Sequence, residues 1–154
     1  MLLGAGLRRS DVVALRVEHL QQREGRWVIV DLIGKGGRVR SVPIAAWVKA
    51  AVDRWLTSSE IATGCVFRPI SKGGNICRER MTEAGIYAVL KHYAAELAPH
   101  DCRRTFAQLA RKANCGIEQI QLSLGHTLVQ TTERYLGTRQ DLEDAPSDRS
   151  RLQA

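Results

Sequence analysis

The sequence predicts an α+β fold that is mainly helical and carries a small antiparallel β-hairpin or three-stranded sheet. Three observations predict it. Two β-rich runs, residues 26–33 and 38–44, flank the turn Gly34-Lys35-Gly36-Gly37, the pattern of a hairpin. After Pro43, apolar residues recur mostly at helical spacing. The composition, 44% hydrophobic and 25% charged over 154 residues, suits one packed domain and leaves no room for two full-sized ones.

The elements follow in order. Met1-Leu2-Leu3 runs into Gly4-Ala5-Gly6 without a cap, so the opening reads as the end of a helix whose beginning is missing. Ser10 offers an N-cap and Asp11 an anion for the first turn of a short helix. Val12, Val13, Leu15 and Leu20 would form its apolar side. In the second strand of the hairpin, Arg38 and Arg40 alternate with Val39, which predicts one basic and one apolar face. A third strand is expected at Cys65-Val66-Phe67. Residues 44–57 form the next helix, with Ile44, Trp47, Val48, Ala51, Val52 and Trp55 as its stripe. Thr82 caps a helix reaching Leu97, with Tyr87, Leu90 and Ala94 on one side and Pro99 as the stop. Helices over roughly 101–114, 117–124 and 128–136 complete the series. Residues 138–154 are polar and lack periodicity, a tail either flexible or ordered by a partner.

Charge narrows the partner class. The chain carries a net charge of +7, and residues 1–113 hold 19 basic against 10 acidic side chains, whereas residues 114–154 hold 4 against 6. A basic body favours a polyanion, nucleic acid above all, because Lys and Arg release counterions from phosphates. The cysteines at 65, 77, 102 and 115 have no CxxC spacing, so a zinc ribbon or dithiol site is not expected. No apolar run nears the roughly 18 residues of a membrane span, and a soluble cytoplasmic protein is expected.

Five places combine chemistry-bearing residues. Arg8, at the turn in Gly6-Leu7-Arg8-Arg9-Ser10-Asp11, offers a bidentate fork for a phosphate, with Asp11 near enough to hold it. Lys35 sits at the hairpin tip between glycines, free of any P-loop pattern. His100 and Arg103 are three apart at a helix start and share a face, where free N–H groups favour an anion. Gly125 exposes His126, and Tyr135 follows nine residues later. Each motif alone is equally compatible with a plain turn, a capped helix start or a packing residue.

In this order, the text around these residues resembles the tyrosine recombinase (phage integrase) family. The stretches are GLRRSDVVAL (6–15), GKGGRVRSVPI (34–44), APHDCRRTFAQLA (98–110), LSLGH (122–126) and TTERYLG (131–137). The resemblance implies a helical catalytic domain over residues 1–137, truncated at its start, because family members carry further helices and usually a second helical domain before the position of Arg8. Residues 138–154 would then be a C-terminal tail, exchanged between protomers or free.

The resemblance also implies roles. Arg8 and Arg103 would clamp the scissile phosphate, His126 would donate to it, and His100 would act as acid/base. Lys35 would protonate the leaving 5′ oxygen, Tyr135 would attack phosphorus, and Asp11 would orient Arg8. Arg38 and Arg40 would touch the DNA backbone. The product is a 3′-phosphotyrosyl link whose bond energy is conserved, so no cofactor or metal is expected. The partners implied are double-stranded DNA and a homo-oligomer, a tetramer, on the nucleoid. Ala5 stands where a threonine is usual and Arg9 where an aliphatic is common. Two alternatives stay open: a catalytically silent DNA-binding remnant, and a type IB topoisomerase-like relaxing enzyme.

Overall fold

A computed structural model describes residues 1–34, 37–77 and 79–137. Lys35 and the tail 138–154 therefore lie outside the described residues. The first helix, α1, spans Arg9–Ala14, and a single 3-10 turn, Val17–His19, leads into the sheet. The sheet comprises β1 (Leu20–Arg23), β2 (Arg26–Ile33) and β3 (Val39–Pro43), antiparallel in the order β1-β2-β3. Helices α2 (Ala46–Ser58), α3 (Glu83–Tyr93), α4 (Pro99–Lys112), α5 (Ile117–Leu124) and α6 (Val129–Leu136) follow. No helix among the described residues is long and apolar enough to cross a membrane.

The mixed, mainly helical class is as expected, with three corrections. The third strand is Leu20–Arg23, paired with β2 from Leu20↔Ile29 to Arg23↔Arg26, so Leu20 is not on a helix. Cys65 makes only an isolated bridge with Arg16. Its neighbour Val66 is apolar because it is fully buried in the main core, and its carbonyl accepts from the Trp55 indole N–H at 2.7 Å. Helix α3 stops at Tyr93, because Ala94 leaves helical geometry at φ −148°, ψ 77°, and the helix buries Ile86 while Tyr87 is 41% exposed.

A bulge in β2 sets the phase of the hairpin. Ile29 pairs with Val42 and Leu32 with Arg40, so Val30 and Asp31 face one residue of β3. Asp31 takes φ +56° to accommodate this. Ile29, Leu32 and Val42 thereby all reach the core. Arg40, two residues from Val42, shares that inward face, whereas Val39 is 63% exposed. The expected faces of β3 are thus inverted.

Two apolar clusters result. The larger joins Leu7, Val12 and Leu15 to the sheet and to Val48 and Val52 of α2. The smaller joins Ala107 of α4 to Ile120 and Leu124 of α5, with Tyr135 of α6 packed against it. Between them lies Arg103, only 2% exposed.

Candidate active site

The two arginines of the sequence motifs are placed by the same local device. Arg8 is the N-cap of α1, and its N–H donates to Oδ2 of Asp11, three residues on, at 2.8 Å. Ala98 is the N-cap of α4, and its N–H donates to Oδ2 of Asp101 at 2.7 Å. In each case a first-turn aspartate satisfies a free donor and favours the positive helix end. Pro99 fits α4 at its first position, where a missing N–H costs nothing.

Arg103 then projects into the space between the clusters. Its guanidinium donates to the carbonyls of Gly6 and Leu124. Those two acceptors belong to the approach to α1 and the end of α5, so Arg103 ties three segments together. Gly6 sits at φ +59° with the Phe106 ring against its Cα, where an added Cβ would come within 2.6 Å of the ring. Burial, and next the neighbouring Arg8, push the Arg103 pKa down to about 10, so it stays cationic at neutral pH.

Arg8 lines the same cavity as Arg103. Its Nη2 donates to the Gly125 carbonyl at 3.3 Å, while its Nη1 is buried and has no partner. Gly125 closes α5 in the left-handed region, φ +62°, and turns the chain so that His126 faces inward. His126 Nδ1 lies 3.0 Å from Oγ1 of the fully buried Thr132. Burial first, and then the charges of Arg103 and Arg8, push the His126 pKa down to about 4, so the imidazole is neutral at pH 7.

Tyr135 completes the cluster. Its hydroxyl is 2.5 Å from Nε2 of His100, and its ring meets His126 edge-on at 4.8 Å between centroids. A cavity of about 380 Å³ opens beside these groups, lined by Arg8, Arg9, Ser10, Pro99, His100 and Arg103 among others. Arg8, Arg103 and His100 face this cavity together with Glu83, while Tyr135 adjoins it through His100. His126 lies behind Tyr135 and lines a second cavity with Arg40 and Gly125. Together these groups are the equipment for holding a phosphodiester and attacking it.

Residues 1–141 match the family model described as the Phage integrase family. The chain belongs to the phage integrase family. Its relatives include tyrosine recombinase XerC of Roseiflexus castenholzii, 30% identical over 153 residues, with 95% of this chain and 48% of that protein covered. Tyrosine recombinase XerD of Shewanella oneidensis is 32% identical over 142 residues, covering 88% of this chain and 46% of that protein. The chain thus spans about half the length of the curated relatives it matches. The fold of the integrase domain is seen again in a crystal structure of XerA recombinase, with TM-score 0.72, 22% identity, and 90% of this chain and 51% of that one covered. The Tn1549 transposon integrase, in complex with circular intermediate DNA, superposes with TM-score 0.70 at 23% identity, covering 97% of this chain and 55% of that one.

Within this integrase domain the structure brings together Arg8, His100, Arg103, His126 and Tyr135. Lys35 lies outside the described residues. The Asp11 carboxylate accepts the Arg8 backbone N–H at 2.8 Å and pairs with the Arg40 guanidinium at 2.6 Å. Arg38 is exposed, and the Arg40 side chain, 9% exposed, lines a cavity with Arg38, Gly125 and His126. Thr132 was not singled out by the motifs. Its signal was its position, one helical turn before Tyr135.

Proposed function

We propose that residues 1–137 form the catalytic domain of a site-specific recombinase that cleaves and rejoins double-stranded DNA through a 3′-phosphotyrosyl intermediate. One observation carries the reading: the Tyr135 hydroxyl lies against His100 Nε2 beside a cavity lined by Arg8 and Arg103. A phenol ordinarily ionises near pH 10 and is a weak nucleophile at pH 7. Here a base is within reach of its proton, and two guanidinium groups favour the negative charge that develops.

The bonds balance without an added reactant. The Tyr135 Oη–P bond forms as the P–O5′ bond breaks. The phenolic proton passes to His100, and Lys35 supplies the proton taken by the leaving 5′ oxygen. Arg8 uses its free Nη1 for a phosphate oxygen. Arg103, with five donors of which the carbonyls of Gly6 and Leu124 need only two, retains N–H groups for another. The phosphate-donating tautomer of His126 carries its proton on Nε2, which the scheme requires and which the 3.0 Å contact with the Thr132 hydroxyl allows if Nδ1 accepts there. Attack by the 5′ hydroxyl of a partner strand reverses these steps and rejoins the DNA. Loss of one such donor is worth about 2.7–4 kcal/mol in the transition state, or 10²–10³ in rate.

Exposed Arg38 is assigned to the DNA backbone. The working unit is assigned as a tetramer on nucleoid DNA, with the net acidic 114–154 region of one protomer, including its tail, set against the basic body of the next. The test is covalent trapping on nicked duplexes with randomised arms. Wild-type protein is expected to yield a denaturation-resistant protein–DNA adduct, and Tyr135→Phe to bind DNA without yielding one. An equal adduct from Tyr135→Phe would reject the nucleophile.

A further inference from the structure

Arg40 is a largely buried cation that the catalytic scheme leaves without a task. Its exposure is 9%, and its Nη2 donates to Asp11 Oδ2 at 2.6 Å, with Asp11 itself 3% exposed. Its other two nitrogens, Nε and Nη1, are buried without partners. Burying such donors is costly unless the place itself requires the charge. Two glycines make the room. An added Cβ on Gly125 would stand 2.8 Å from Arg40 Cδ, and one on Gly34 would stand 3.3 Å from Arg40 Nη1 and 3.9 Å from Arg8 Nη1. Both guanidinium groups therefore converge on the Gly34 backbone.

The same Asp11 oxygen accepts the Arg8 backbone N–H and the Arg40 side chain. Asp11 is thus committed, and the Arg8 side chain makes its bond to the Gly125 carbonyl while Nη1 stays free. A buried carboxylate without a counter-cation would turn to another donor, and the Arg8 Nη1 in the same cluster is buried without a partner. Capture of Nη1 would fill the seat a phosphate oxygen needs.

We propose that Arg40 is a positioning residue: it neutralises Asp11 so that Arg8 keeps a vacant guanidinium edge for a phosphate, and it supports the Gly125 turn that carries His126. The inference rests on the reading of this cavity as a phosphate site, but not on the tyrosine chemistry.

The experiment titrates inorganic phosphate into the isotopically labelled chain and follows the Gly125 and His126 amide resonances. Wild type is expected to show saturable shifts. Arg40→Met should weaken phosphate binding by about tenfold or more, the loss of one charge-assisted hydrogen bond from Arg8. Arg40→Met combined with Asp11→Asn should recover most of that loss, because asparagine keeps the cap on α1 and carries no charge to capture Arg8. Arg40→Lys, which keeps a cation beside Asp11, should bind nearly as wild type, and it stands in if Arg40→Met does not fold. A deficit unchanged by Asp11→Asn, or equal in Arg40→Lys and Arg40→Met, would overturn the proposal in favour of direct phosphate contact or simple structural support. Absence of any wild-type response would overturn it as well. Adduct formation by Tyr135 is read separately, so failure of this inference and failure of the recombinase reading are distinct results.

Discussion

The Tyr135 hydroxyl stands 2.5 Å from Nε2 of His100, two groups separated by 35 positions and joined by the packing of α6 on α4. This places a proton acceptor on the assigned nucleophile before any DNA arrives. His100→Gln should slow single-turnover adduct formation by about 10²–10⁴, the usual worth of positioned acid/base catalysis, with DNA affinity little changed. A wild-type cleavage rate in the variant would remove His100 from the proton path.

Arg103 has a structural load as well as a chemical one. Its donors satisfy the carbonyls of Gly6 and Leu124, which are buried between the two apolar clusters. Arg103→Lys offers one ammonium in place of the fork and leaves an acceptor without its bond. Stability should fall by about 1–3 kcal/mol, seen as a lower urea midpoint at unchanged slope. An unchanged midpoint would mean that these two carbonyls find other donors.

The depressed pKa of His126 gives a pH signature of defined sign. The folded value is about 4 against an ordinary 6.5, so on acidification the unfolded chain takes the proton first. The contribution of neutral His126 is present in full above pH 6.5 and is lost as the pH falls toward 4. His126→Gln should flatten the stability profile across that window. Inorganic phosphate should raise the His126 pKa in a ring-resonance titration, because an anion in the cavity offsets the arginine charges that lower it.

Gly125→Ala should be damaging for two independent reasons. The position needs φ +62°, and the new Cβ would meet Arg40 Cδ at 2.8 Å. Left-handed strain alone costs about 1 kcal/mol or more, and the contact adds to it. Both stability and phosphate affinity are expected to fall together, since the turn also carries the carbonyl that holds Arg8. Gly25→Ala, at φ +74° with open space around it, should cost stability only.

The hairpin was legible because glycines separate two β-branched runs, and α5 and α6 because Gly125 and Gly137 punctuate them. Strand β1 was not, since Gln21, Gln22 and Arg23 are exposed and carry no hydrophobic alternation. The inward turn of Arg40 was hidden by counting alternation from Val39. Counting back from Val42, whose side chain is 1% exposed, reaches Arg40 on the core side. Motif order pointed to Arg8, His100, Arg103, His126 and Tyr135, each near a helix terminus. Their mutual distances depend on how α4, α5 and α6 pack, which no local pattern encodes. The carbonyl partners of Arg103 are likewise backbone groups with no sequence signature.

The most direct test of the central claim is to map the covalent link by mass spectrometry. Trypsin cuts after Arg134 and Arg139, so an adduct digested with trypsin and nuclease should yield the peptide of residues 135–139 carrying a 3′-linked nucleotide on Tyr135. A nucleotide on any other side chain, or one attached through its 5′ phosphate, would contradict the account.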